Sequence, residues 1–105
     1  MKISNWNIEE MTGYVPQTTF WMDFSIADAF GKNAILDTYN TALEEWKNNY
    51  VYITELVMVL NWKSWQYQNN EEFCKLYAEL YYRLDAWCWD HFNEEEKEYY
   101  YRVTD

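Results

Sequence analysis

The fold depends most on residues 50–67, which read YVYITELVMVLNWKSWQY. Apolar residues recur in this stretch at three- and four-residue steps, as the buried face of an α-helix requires. Additional apolar residues, including Met58 and Trp62, widen that face over most of the circumference. A helix that is apolar on most sides is normally enclosed, so we expect this one at the centre of a bundle. The β-branched residues within 51–60 make a buried strand the competing prediction.

The segments on both sides repeat the helical spacing, and polar residues mark where the helices begin. Thr18 or Thr19 is placed to cap the first helix, and Asn33 the second. Asn93 and Glu96 form an N-x-x-E pattern that is typical of a capping box. The predicted helices cover residues 18–30, 33–48 and 50–67, a fourth from 71 past 88, and a short fifth from 93 to about 102.

Turn-forming residues are confined to the first third of the chain. Its two glycines and one proline are Gly13, Pro16 and Gly31, so nothing after Gly31 forces a break. Gly31 suits the position just after the first helix. Residues 1–18 are predicted to form an irregular N-terminal arm, which Ile3 and Trp6 would help to pack. The predicted fold class is all-α, with one domain over residues 1–105 built as a bundle of four to five helices.

Composition limits the possible partners. Aromatic residues make up 22% of the chain, and 18 acidic residues outnumber 8 Lys and Arg to give a formal charge of −10. The 50% apolar content argues against disorder. Nucleic-acid binding depends on Lys and Arg, so direct binding of nucleic acid or of an anionic membrane is disfavoured. A basic protein is the partner that this charge fits, although the charge could serve solubility alone.

The chain has no pattern that sends it into or across a membrane. No apolar run follows Lys2, and the run from Leu56 to Leu60 is far shorter than the ~20 residues of a membrane span. Two cysteines do not make a disulfide framework, which fits a reducing compartment. We therefore expect a soluble cytoplasmic protein.

The rare Cys and His residues give little support for catalysis or metal binding. Cys88 and His91 share a helix face, but with Asp90 or Glu94 they would still form an incomplete zinc site. Cys74 would lie about 21 Å from Cys88 on one helix, at ~1.5 Å rise per residue. No serine lies in a nucleophile turn, and two glycines cannot build a phosphate-binding loop. We predict a non-enzyme with no catalytic residue, no metal site and no cofactor.

Acidic residues are concentrated in the last third of the chain, where they could form a binding surface. Capping of helices explains only one or two of them. The alternative is a solvated face that has no partner. The predicted acidic surface consists of Glu71, Glu72, Glu79, Asp90, Glu94, Glu95, Glu96 and Glu98.

Aromatic residues exceed what one buried stripe can hold. Residues 99–101 are three consecutive tyrosines, which spread over more than half of a helix circumference. Tyr and Trp are enriched in binding hot spots, so some of these side chains are predicted to contact a partner. A thick core that takes aromatics from every side is the alternative. The predicted aromatic contact residues are Tyr82, Trp89, Tyr99, Tyr100 and Tyr101.

Several segments carry a resemblance to known sequences. They are PQTTFWMDFSIAD at 16–28, DTY at 37–39, EWK at 45–47 and ELVMVLNWK at 55–63. In these segments the chain resembles small acidic proteins carried on bacterial phages, plasmids and integrated mobile elements. The resemblance implies no particular activity and no functional residue. It implies a role against host defence, or in replication and transfer of the element.

Two functions fit these observations. The first is an interaction protein that presents carboxylates and aromatics to a basic partner, for example as a nucleic-acid mimic that inhibits a defence or DNA-binding protein. The alternative is a structural or accessory subunit whose exposed aromatics bind a second copy of the chain or a fixed partner. The first predicts binding that weakens with salt, and the second predicts a salt-insensitive dimer.

Overall fold

The computed structural model describes residues 8–104, and this part of the chain is helical without strands. The all-α prediction is confirmed. Residues 8–104 form six helices rather than the predicted four to five, because a five-residue helix forms inside the arm that was predicted to be irregular. The predicted packing of Ile3 and Trp6 lies outside the described residues. The helices are α1 Ile8–Thr12, α2 Phe20–Asp28, α3 Lys32–Trp46, α4 Tyr50–Gln66, α5 Glu71–His91 and α6 Glu94–Thr104.

Helix α4 lies at the centre, as its sequence predicted. It packs against α2, α3, α5 and α6. Its residues 53–60 and 62–64 are all buried. The competing strand over 51–60 was wrong, since α4 has neighbours on most of its sides and continues for 17 residues, longer than a typical strand. No helix within residues 8–104 is both long and apolar enough to cross a membrane.

Asparagine side chains cap the N-termini of three helices, α4, α5 and α6. Asn49 Oδ1 accepts the Tyr52 amide at 3.1 Å, and Asn70 Oδ1 accepts the Phe73 amide at 3.2 Å. The capping box of α6 is confirmed. The Asn93 amide donates to Glu96 Oε1 at 3.0 Å, and the Glu96 amide donates to Asn93 Oδ1 at 2.9 Å. These bonds satisfy amides that have no partner within the helix.

The junction between α2 and α3 differs from the prediction. Helix α2 ends at Asp28, and α3 begins at Lys32 with Gly31, not Asn33, at its N-cap. Gly31 has φ of 110°, a conformation that favours glycine, and its amide donates to the Ala27 carbonyl at 3.1 Å. One glycine therefore ends α2 and starts α3. At the other end of α2, Thr19 makes no side-chain capping bond, and its hydroxyl donates to Asp23 at 3.0 Å.

Two charged side chains of α4 are buried and attach neighbouring segments to it. The Glu55 carboxylate accepts the Tyr14 hydroxyl and the Gln17 amide, both at 2.8 Å. It also accepts the amide of Thr18 at 3.1 Å and the hydroxyl of the same residue. Four donors therefore hold residues 14–18 against the centre of the bundle. We call this contact the Glu55 clamp.

The second buried charge is the ammonium of Lys63, which fixes α2. Its Nζ lies 2.7 Å from Asp28 Oδ2 and 2.8 Å from Ser25 Oγ, and it stands 4.4 Å from the centre of the Trp21 ring. The same carboxylate accepts the Tyr77 hydroxyl. Burial lowers the pKa of Lys63, while the Asp28 carboxylate acts in the opposite direction. The Asp28 side chain is enclosed as well, so both charges of this pair are buried.

Candidate functional site

Half of the carboxylates in the predicted acidic surface on α5 and α6 are paired with cations of the same chain. Four of its carboxylates form ion pairs with basic side chains, most of them one helical turn away. Exposed pairs of this kind contribute little stability but reduce the charge available to a partner. The pairs are Glu71–Lys75 at 3.2 Å, Glu72–Lys32 at 3.5 Å, Glu79–Arg83 at 3.1 Å and Glu94–Lys97 at 3.7 Å.

The remaining four predicted acids divide into two groups. Asp90 lies 3.9 Å from His91 Nδ1, and Glu96 is engaged in the capping box of α6. Within residues 8–104, Glu95 and Glu98 have neither a hydrogen bond nor an ion pair. The free charge of this surface is thus concentrated at the start of α6.

The predicted aromatic contact residues are only partly at the surface. Tyr82 and Trp89 are exposed on α5, seven residues apart and therefore on the same face, and Tyr101 is exposed on α6. Tyr99 is half-buried. The prediction of a surface role was wrong for Tyr100, which is 2% exposed, donates its hydroxyl to Asp85 and packs edge-on against Trp89 with ring centres 5.7 Å apart.

A groove between α2 and α3 was not predicted. Its volume is about 610 Å³. Three carboxylates, those of Asp23, Asp37 and Glu45, are among its lining groups, whereas its lining within the described chain includes no Lys, Arg or His. The other lining residues are apolar, aromatic or hydroxyl-bearing, apart from one amide side chain, that of Gln17. They are Gln17, Thr18, Thr19, Phe20, Ile26, Thr38, Thr41, Ala42, Trp46 and Tyr52.

Helical spacing explains how the groove acquires its carboxylates. Asp37, Thr41 and Glu45 recur every four residues, so α3 presents them along one side. Asp23 reaches the groove from α2. One end is aromatic, where the rings of Trp46 and Tyr52 lie 4.7 Å apart at 53°. The groove thus combines carboxylates with a half-buried aromatic pair.

The outer face of α2 is an exposed apolar stripe that continues from this groove. Met22 is 62% exposed, Ile26 is 57% exposed, and Phe30, in the turn after the helix, is 79% exposed. Ile26 also lines the groove, so the two surfaces are contiguous. Exposed apolar side chains that are grouped in this way are typical of interaction surfaces. We call Met22, Ile26 and Phe30 the α2 stripe.

The Cys88 and His91 side chains have different environments on α5. Cys88 is buried, and burial raises the pKa of its thiol to about 12, with a further contribution from Asp85. His91 Nδ1 lies 2.9 Å from the Trp87 carbonyl oxygen, and the imidazole stacks on the Trp87 ring with ring centres 4.4 Å apart. Among residues 8–104, no group of three or more His, Cys, Asp and Glu side chains is placed to hold a metal ion.

Comparison of this chain with protein-family models, with curated proteins and with solved structures gave no match.

Proposed function

We propose that this chain is a small non-catalytic interaction protein that binds a basic protein through surface carboxylates and adjacent aromatic side chains. The observation that carries the proposal is the distribution of its ion pairs. Every lysine within residues 8–104 already lies beside a carboxylate of the same chain. The surplus carboxylates, such as Glu95, Glu98 and Glu45, have no ion pair with any basic side chain in this described part of the chain. They are free to attract cationic groups on another molecule.

A nucleic-acid-binding protein is the partner class that we favour. Such proteins carry Lys and Arg to neutralise phosphates, and an acidic protein surface can occupy the same basic groove. The resemblance to proteins of bacterial mobile elements suggests that the target is a host defence nuclease or a regulator. In this proposal the protein competes with nucleic acid and does not bind it.

To test the proposal, the full chain is immobilised and used to capture partners from a lysate of the source organism at about 50 and about 500 mM NaCl. Interactions between exposed charges are screened much more strongly at the higher salt concentration. We expect basic proteins to be retained at low salt, to elute at high salt and to be displaced by added DNA. Retention that is unchanged by salt would contradict the electrostatic basis of the proposal. Retention of no basic protein at low salt would contradict the proposal as a whole.

The exposed aromatics favour a second candidate function, self-association. Tyr82 and Trp89 lie on one face of α5 with exposed Ala86 between them, and Tyr101 is exposed on α6. Large aromatic side chains supply much of the binding energy in protein interfaces. Size-exclusion chromatography with light scattering separates the candidates. A dimer that persists at high salt, and that the substitutions Tyr82→Ser and Trp89→Ser convert to a monomer, would replace the first proposal with the second.

A further inference from the structure

We infer that the groove between α2 and α3, together with the α2 stripe, is the docking site for a basic amphipathic helix of the partner. This inference rests on the proposed function, and it names the surface and the chemistry of the bound segment. It places the main contact with the partner on α2 and α3, in the first half of the chain, rather than on the predicted α5–α6 surface.

The apolar half of the site is an unpaired face of α2. The inner side of this helix packs Phe20, Phe24 and Ala27 into the core. Its outer side exposes Met22 and Ile26, and Phe30 follows in the next turn. A helix that is apolar on both sides is normally enclosed on both sides, but among residues 8–104 the neighbours of α2 lie on its inner side. Burying the α2 stripe against a partner would remove this apolar surface from water.

The charged half of the site is the carboxylate rim of the groove. Asp37 and Glu45 have no ion pair among the described residues, and Asp23 accepts only the Thr19 hydroxyl. The lysines at the two ends of α3 are engaged elsewhere. Lys32 pairs with Glu72 at 3.5 Å, and Lys47 pairs with Glu44 at 3.3 Å. No cation within residues 8–104 neutralises this rim, so its carboxylates are free to attract cationic groups of another molecule.

A basic helix is the ligand that satisfies both halves. An amphipathic helix presents apolar side chains at three- and four-residue steps, which suit the α2 stripe, and its flanking Lys or Arg reach the carboxylates. The volume of about 610 Å³ accommodates several side chains rather than a single ion. Trp46 offers an aromatic face to a cation. The same three carboxylates repel nucleic acid and anionic lipid, so neither is the occupant.

The probe is an amidated helical peptide of lysine and leucine, fluorescently labelled, with leucines on one face. Its binding to the full chain is followed by anisotropy at about 50 mM NaCl, where exposed charges are weakly screened. The groove variant is Asp23→Asn/Asp37→Asn/Glu45→Gln. The control that is matched in charge, Glu94→Gln/Glu95→Gln/Glu98→Gln, removes the same number of charges from α6, the other acidic surface, and measures the smaller contribution that we expect of it. We expect the groove variant to weaken binding about tenfold or more, and the control less than about threefold.

The apolar half is tested separately with Ile26→Ser, which leaves every charge in place. We expect it to weaken peptide binding about fivefold or more, because a side chain at the centre of the contact loses its apolar surface. Val15→Ser is the control, since Val15 is equally exposed but lies outside the groove. Circular dichroism of each variant confirms that the helices are retained. Amide chemical shifts should change mainly in α2 and α3.

The outcomes separate this inference from the proposed function. If the groove variant and the α6 control weaken binding equally, the groove is not the site. The proposal that surface carboxylates bind a basic partner would still hold. If the peptide does not bind while the lysate experiment retains basic proteins, the amphipathic helix is the wrong ligand. If the lysate experiment retains none, the proposed function itself fails.

Discussion

We expect the substitution Glu55→Ala to lower the free energy of unfolding by about 3–5 kcal/mol. The reason is that the buried Glu55 carboxylate accepts hydrogen bonds from four donors. Removal of the carboxylate leaves the amides of Gln17 and Thr18 without an acceptor, and residues 14–18 lose their attachment to α4. Unfolding in urea, followed by circular dichroism, measures the change. A loss of less than about 1 kcal/mol would contradict the role of the Glu55 clamp.

Two further variants isolate the cause. Glu45→Ala also removes a carboxylate from a helix, but this side chain is exposed, so the change should stay within about 0.5 kcal/mol. Tyr14→Phe removes one donor of the Glu55 clamp and should cost about 1 kcal/mol. If Glu45→Ala were as destabilising as Glu55→Ala, net charge rather than the Glu55 clamp would be responsible.

The second large effect is expected at the ion pair of Lys63 and Asp28. Lys63→Met fills the same space but leaves the buried carboxylate without its cation, which should cost about 3–5 kcal/mol. Adding Asp28→Asn should recover a large part of this loss, because no uncompensated charge then remains inside. The urea experiment on both single variants and the double variant gives the coupling energy.

The control for this pair is Lys75→Met, which breaks an exposed ion pair with Glu71 and should cost less than about 1 kcal/mol. Losses that simply add in the double variant would mean that Lys63 and Asp28 act independently. The enclosed geometry around Lys63 would then have no energetic consequence.

Sequence reasoning recovered the main helices because their signals are local. The long apolar face of residues 50–67 and the capping box at Asn93 placed α4 and α6 to within about two residues. Helix α1 was missed because five residues span little more than one turn and carry no detectable period. Gly31 was assigned to the end of α2 alone, although it also begins α3, because no spacing rule marks such a dual position.

The candidate site was harder to predict because it depends on relations between helices. The Glu72–Lys32 pair joins residues 40 positions apart, so a count of acids in the last third overstated its free charge. Among the consecutive tyrosines, Tyr100 is buried and Tyr101 is exposed because of the way α6 is rotated about its axis relative to the helices it packs against. In α2, Phe20, Phe24 and Ala27 recur at three- and four-residue steps and are buried, but their spacing does not reveal that Met22 and Ile26 form an exposed apolar stripe on the other side.

One missed feature did have a sequence signal. Glu55 and Lys63 lie within the apolar face of the segment that was predicted to be central. A charge in such a position needs partners brought by other elements, since burial without them is costly. That reasoning would have predicted buried acceptors and donors around α4. It would not have identified Tyr14 or Asp28 as the partners.

The Glu55 clamp also has a consequence for synthesis on the ribosome. Residues 14–18 are translated before their acceptor, the carboxylate of Glu55, which comes 37 to 41 positions later. Until that carboxylate leaves the exit tunnel, water must satisfy the amides and hydroxyls of the early segment. Residues 14–18 are therefore made before α4 but become fixed only after the start of α4 has been translated.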